Sequence, residues 1–213
     1  MKIFDVLVIG AGPAGGAAAK KCAELGLSTI LVEEHKIIGE PLHCGECVSD
    51  VCLNKLGDIP KSVIAKRVKG VKLFFPQNKF HFVDEGGAVL YKEKFEQWII
   101  KTAKKAGAIV KLNTRVIGLK KLKNHWVVST NNPRLKEVKA RLVIDGSGVQ
   151  AVTSNILGLN KKFEVVMGLQ YRIEDIKEKD YLDFYLLPKE APQGYLWVIP
   201  KGDGSANVGL EVP

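Results

Sequence analysis

No run of about 18 apolar residues occurs in the 213-residue chain, which argues against a membrane-spanning helix. The opening segment MKIFDVLVIG also lacks the separate basic, apolar and cleavage regions of a secretory signal. It reads instead as a buried strand entering a glycine turn, so the mature protein is expected to begin near Met1, inside the cell. Cysteine is scarce, limited to Cys22, Cys44, Cys47 and Cys52. A chain of this size held in a reducing compartment gains little from disulfides. Cys44 and Cys47 form a CxxC with no second CxxC and no nearby HxxxH, so no metal is expected. Redox chemistry between these two thiols ranks above metal binding, though neither leads. Acids are nearly missing between Lys101 and Arg141, where twelve basic residues meet one acid, Glu137. This run is a main source of the formal net charge of +9. It reads either as a solvated face or as a patch attracting anionic lipid headgroups or phosphates. Aromatics interleaved for base stacking are absent there, and no nucleic-acid motif occurs, so no nucleic-acid partner is expected. Internal repeats and low-complexity segments are lacking as well.

What is present is ordinary for a globular chain that buries a core: 46% hydrophobic and 26% charged residues. The pattern predicts a strand over 2–9, an Ala-rich helix over 14–25 with Pro13 beside its first turn, and an apolar strand over 28–33. A short helix is expected over 49–56, and a hairpin over 68–83 around Pro76-Gln77-Asn78. Helical periodicity through Phe95, Trp98, Ile99 and Thr102 predicts a helix over 93–106 that stops at Gly107. Strands are expected over 109–112, 116–121, 126–130 and 141–145, the last entering Gly146-Ser147-Gly148. Beyond about Asn160 the chain turns β-rich, with strands expected over 163–173, 181–187, 195–199 and 206–212 and no helix-forming stretch.

Gly10-Ala11-Gly12-Pro13-Ala14-Gly15 is a GxGxxG that follows a strand, opens a helix, and precedes a second strand ending in Glu33. That context is what dinucleotide binding requires. Gly10 permits the tight turn, Gly12 lets a pyrophosphate approach the backbone, and Gly15 lets helix and strand pack closely. The helix N-terminus offers N–H groups and a positive dipole end. Glu33 can accept hydrogen bonds from ribose hydroxyls and would repel a 2′-phosphate, which disfavours NADP. Glu34 is a rival for this role, though Glu33 fits the strand end better. The unit alone does not decide between FAD and NAD.

Three further segments carry a resemblance that does decide: Gly39-Glu40-Pro41-Leu42-His43-Cys44-Gly45-Glu46, Ile144-Asp145-Gly146-Ser147-Gly148 and Gly194-Tyr195-Leu196-Trp197-Val198-Ile199-Pro200. With them the chain resembles the geranylgeranyl reductase family, within the flavoproteins built like p-hydroxybenzoate hydroxylase. The resemblance implies an α/β fold: a Rossmann-like FAD-binding domain over 1–66 and 89–159, interleaved with a β-sheet substrate domain over 67–88 and 160–213. It implies FAD as cofactor and reduction of isolated isoprenoid double bonds, as in archaeal digeranylgeranylglycerophospholipids or geranylgeranyl groups, placing the chain in prenyl-lipid biosynthesis. FAD contacts implied here are Gly10, Gly12, Ala14, Gly15, Glu33, Cys44, Gly45, Cys47, Lys92, Val116 and Gly148. Tyr195 and Trp197, two apart on a strand and so on one face, would line the isoprenoid cavity; core packing is their plain alternative. No proton donor is identified, with Cys44 and Cys47 candidates by placement alone. Members usually carry Gly where Cys47 stands and Arg where Lys92 stands, and Lys lacks the forked contact of Arg. They also make a second return to the FAD domain, where a Gly-Asp motif meets the cofactor; the chain stops before that return, so it is expected to be C-terminally truncated and its substrate domain incomplete. The competing readings are an FAD-dependent monooxygenase or halogenase of the same fold, and a non-catalytic FAD-fold fragment. The expected partners are a prenyl lipid substrate, an external electron donor, and an anionic membrane touched peripherally; the expected location is cytoplasmic, with the inner membrane face as the site of any such contact.

Overall fold

A computed structural model of the chain describes residues 2–159, 165–177 and 179–213. In chain order its first elements are β1 (Ile3–Ile9), α1 (Pro13–Glu24), β2 (Thr29–Val32), β3 (Cys47–Ser49), α2 (Asp50–Leu56), β4 (Ile64–Val68), β5 (Gly70–Phe75), β6 (Lys79–Val83) and β7 (Gly87–Leu90). There follow α3 (Lys92–Lys105), β8 (Ile109–Lys111), β9 (Val116–Lys121), β10 (Trp126–Thr130), β11 (Glu137–Asp145) and α4 (Val152–Leu157). The last four are β12 (Met167–Ile173), β13 (Tyr181–Tyr185), β14 (Tyr195–Pro200) and β15 (Ala206–Val212). The chain divides into two compact units, Met1–Leu42 with Glu93–Lys162, and His43–Lys92 with Phe163–Pro213.

The first unit is built on a six-stranded sheet in the order β8-β2-β1-β11-β10-β9. β8, β2, β1 and β11 run parallel, while β10 and β9 complete the sheet antiparallel. Alternation along β1 sends Val6 and Val8 into a cluster with Ala19, Leu31, Ile100 and Ala103 from α1, β2 and α3. It sends Leu7 and Ile9 into a second cluster with Ile30, Val32, Val116, Val128 and Val138. Both faces of the parallel strands are therefore covered, which is why β1 and β2 read as continuous apolar runs. Each such fully buried side chain contributes about 1.5–3 kcal/mol. β11 begins four residues earlier than the expected 141–145. Its first half, Glu137–Ala140, pairs with Ser129–Trp126 of β10, so pairing to a neighbour holds a segment whose own composition is polar. The short α4 carries no hydrophobic periodicity that a sequence reading could find.

The second unit holds a six-stranded sheet, β12-β15-β14-β13-β5-β6, and a three-stranded sheet, β3-β7-β4. The expected hairpin is β5–β6, paired from Val71↔Val83 to Phe75↔Lys79, and its turn places Gln77 and Asn78 at φ +64 and +58. β5 joins β13 in parallel, so the hairpin belongs to the β-rich part as expected. Val68, Val89, Leu182, Trp197 and Ile199 form the core of this unit. The compact units part at 42/43 and 92/93, not at the expected 66/67 and 88/89. The physical reason is β7: both β3 and β4 pair with it, drawing residues 43–66 into the second unit. The strand expected over 163–173 runs over Met167–Ile173, with 163–164 outside the described residues.

Candidate functional site

In the first unit the site is a glycine junction where three backbone segments touch. Gly10 has φ +91, and a Cβ there would lie 2.5 Å from the Gly146 carbonyl oxygen. A Cβ on Gly15 would lie 2.0 Å from the Gly10 oxygen, and one on Gly146 2.7 Å from Gly15 Cα. Side chains are therefore excluded by protein at these three positions. Gly12 differs: a Cβ there meets nothing within 4 Å. Its bareness opens onto space, where a ligand rather than the chain can come close. Gly12 is also the N-cap of α1, with Pro13 in the first turn and no side-chain cap, and the exposed Ala14 follows. Open space in front of an uncapped helix start fits a pyrophosphate.

Glu33 reaches this junction. Its side chain is buried, one carboxylate oxygen accepts the Ala11 N–H at 2.7 Å, and the other accepts the His35 N–H at 2.9 Å. His35 Nδ1 lies 2.6 Å from that second oxygen. A carboxylate has about four lone-pair sites, so acceptor capacity remains for ribose hydroxyls. Glu34 points elsewhere, paired with Arg115 at 3.3 Å. At the end of β11, Asp145 accepts from the amides of Ser147 at 2.9 Å and Thr153 at 2.7 Å, and from both hydroxyls. Desolvation pushes this carboxyl up, but the combined hydrogen bonds outweigh it and hold Asp145 below the ordinary carboxylate range. The turn so fixed carries Gly148 at φ +62, facing open space. Val116 differs from the other expected contacts, because its side chain is in the core and only its backbone is left to meet a ligand.

In the second unit, Cys44, Gly45, Glu46 and Cys47 form a loop leading into β3. Both thiols are free and their residues exposed. Desolvation of its sulfur first, then the charges of Cys44 and Glu46, push the Cys47 thiol up. The Cys44 carbonyl accepts from Gln170 Nε2 at 3.1 Å, and Gln170 Oε1 accepts from the Trp197 indole at 2.8 Å. Tyr195 and Trp197 share a face of β14, ring centroids 5.8 Å apart and tilted by 58°. Phe184 adds an edge contact to Tyr195 at 5.5 Å. Burial first, then the Glu211 and Cys47 charges, raise the Tyr195 hydroxyl. Trp197 is nevertheless a core residue of this unit, 9% exposed and packed over Gly209. Lys92 meets the loop through its amide, which donates to Glu46 at 2.9 Å.

Sequence reasoning did not single out Glu46, Gln170, Lys201 or Asn207, all of which meet in this network. The available signal was Lys201, a charge placed directly after the YxWxxP segment at the end of an apolar strand. The basic run lies wholly in the first unit, on α3 and β8–β11; Lys101, Lys104 and Lys105 are exposed.

Comparison with known proteins matches residues 5–154 to the family described as FAD dependent oxidoreductase. Residues 164–213 match the geranylgeranyl reductase catalytic domain. A digeranylgeranylglycerophospholipid reductase of Thermoplasma volcanium is 37% identical across 99% of this chain and 57% of its own length. The protein of that name from Methanosarcina acetivorans is 38% identical across 99% of the chain and 54% of its own. The chain thus spans a little over half the length of the curated relatives it matches. Among solved structures, a geranylgeranyl bacteriochlorophyll reductase-like protein of Thermoplasma acidophilum superposes with a TM-score of 0.91 at 34% identity, covering 100% of this chain and 57% of its own. The halogenase PltM in complex with FAD shares the fold, with a TM-score of 0.79 at 15% identity across 99% of this chain and 52% of its own.

Proposed function

Because this chain belongs to the FAD dependent oxidoreductase family, we propose that it supplies the cofactor-binding unit and the substrate-side sheet of a prenyl-lipid reductase. The substrate class is isoprenoid double bonds of the digeranylgeranyl phospholipid type. Identity of 37% along 99% of the chain to a reductase of that name is the observation that carries this reading. In the first unit Gly10, Gly12, Ala14, Gly15, Glu33, Gly148 and the Val116 backbone would hold the cofactor. Cys44, Gly45, Cys47 and Lys92 are further candidates through the family resemblance. When bound and reduced by an external electron donor, the flavin would supply a hydride to one alkene carbon, while the protein would supply position, dryness and a proton.

Tyr195 and Trp197 would give the polyprene an apolar wall, since the chain of such a lipid offers nothing to hydrogen-bond. Cys44 and Cys47 are the candidates, by their place in the loop, to hold the proton destined for the second alkene carbon. The exposed basic side chains of the first unit would favour peripheral contact with an anionic membrane, where such a lipid resides.

An absorption spectrum of the purified chain before and after adding FAD tests the first step. The expected result is a bound, yellow flavin; a chain that stays colourless would reduce it to a non-catalytic relative of the fold. Anaerobic incubation of the reduced holoprotein with a geranylgeranyl lipid tests the second. Loss of alkene without oxygen is expected, and an absolute oxygen requirement would reassign the chain to monooxygenase or halogenase chemistry.

A further inference from the structure

The second unit buries an ion pair that the proposed chemistry does not use directly. The Lys201 and Glu46 side chains are 1% and 2% exposed. The ammonium donates to Glu46 Oε2 and to the Leu90 carbonyl, each at 2.7 Å, and lies 4.7 Å from the Tyr91 ring centre. Asn207 Nδ2 donates to the same Oε2 at 2.6 Å, and the Lys92 amide donates to Oε1 at 2.9 Å. The backbone is pinned as well. The Glu46 carbonyl accepts from the Leu90 N–H at 2.8 Å, and its amide donates to Cys44 Sγ at 3.2 Å. Glu46 itself has φ +71, a left-handed conformation that a non-glycine residue keeps only where its surroundings over-determine it.

Stability alone does not account for such a pair. Removing two charges from water largely cancels their attraction, and well-packed apolar residues in their place often stabilise as much. Apolar residues could not, however, hold a left-handed turn between two thiols. We infer that Glu46 is a positioning residue: its carboxylate, clamped by Lys201, Asn207 and the Lys92 amide, fixes the shape of the Cys44–Cys47 loop. The loop is joined through Gln170 to Trp197, so one hydrogen-bonded network sets the thiols and the aromatic strand in register. The functional meaning of that register rests on the reductase reading; its geometry does not.

Glu46→Gln preserves size but removes the charge that Lys201 and Asn207 address. The measurement is alkylation of the full chain by iodoacetamide, with the rate at each cysteine read by peptide mass spectrometry. Cys22 and Cys52 lie outside the loop and report general loosening. Because the Glu46 charge itself helps to push the Cys47 thiol up, rates are compared on the alkaline plateau, where the thiolate is fully formed in both chains. There the rate at Cys47 is expected to rise about tenfold, in keeping with loss of hydrogen bonds to a charged group, while Cys22 and Cys52 hold their wild-type rates. An unchanged Cys47 rate overturns the inference, and so does an equal rise at all the thiols. Should Glu46→Gln not fold, Asn207→Leu removes one hydrogen bond from the same carboxylate and leaves the ion pair. A selective rise of about threefold at Cys47 is then expected, and its absence counts against the clamp equally. The footprint needs neither flavin nor lipid. A chain that passes it yet leaves alkenes unreduced fails the reductase reading alone.

Discussion

At the scale of single residues, the three glycines of the fingerprint have separate jobs. Gly10 and Gly15 are bare because protein backbone occupies the place of their side chains, whereas Gly12 faces open space with φ −69, which any residue adopts. Gly12→Ala should therefore fold with a loss within about 1 kcal/mol, the scale of an exchange at a helix N-cap. Its methyl group would stand where a pyrophosphate approaches, so FAD affinity should fall about tenfold or more, equivalent to ~1.4 kcal/mol. Thermal melting of the apoprotein and a flavin titration check the two halves. A variant that melts early, or binds FAD as wild type does, would contradict this division of roles. These glycines and Glu33 were legible in the sequence because their chemistry is local and fixed in spacing. Glu46 and Lys201 were not, since they meet across a separation of 155 residues and a left-handed glutamate leaves no mark in its own sequence.

At the scale of elements, legibility followed burial or a marked turn. β1 and β2 are buried on both faces and read plainly, as did the edge hairpin β5–β6 with its turn residues. The short β3 and β4 have mixed exposure and are held by β7 rather than by their own pattern, so they escaped. The packing of α1 on α3 was not read from the sequence, and the structure gives it a number. A Cβ on Gly16 would lie 2.5 Å from Ile99 Cγ2, so Gly16→Ala overpacks the contact, at a cost of about 1–3 kcal/mol. Ile99→Ala alone leaves a cavity in a buried site and costs about 2–5 kcal/mol. In the double variant the new methyl group enters space that Ile99 vacated. The combined loss should fall short of the sum of the separate losses by about 1 kcal/mol or more, as expected for residues in contact. Denaturant melts of the four chains close this cycle, and strict additivity would mean that the helices do not meet through this pair.

At the scale of the whole molecule, composition carried the broad globular class, the family resemblance carried the interleaving of two domains, and charge distribution raised a question of placement. None of the described helices is long and apolar enough to cross a membrane, so attachment to a lipid surface through these elements would have to be peripheral. Lys101, Lys104 and Lys105 are exposed on α3, and the last two sit in its final turn, where cations also favour the helix dipole. That second role means charge reversal would confuse stability with binding, whereas replacing all three by Gln removes attraction with a smaller penalty to the helix. Each lysine close to an anionic surface contributes about 1 kcal/mol, so losing three could weaken partitioning by up to about a hundredfold. Flotation with phosphatidylcholine vesicles, with and without phosphatidylglycerol, reads this directly. The wild-type chain should float only with the anionic vesicles and should release them as added salt shortens the screening length from about 10 Å at 0.1 M toward about 3 Å at 1 M. The triple Gln chain should stay in the soluble fraction throughout. Flotation indifferent to headgroup charge and salt would instead assign the basic run to solvation, and leave any hold on the membrane to apolar contact.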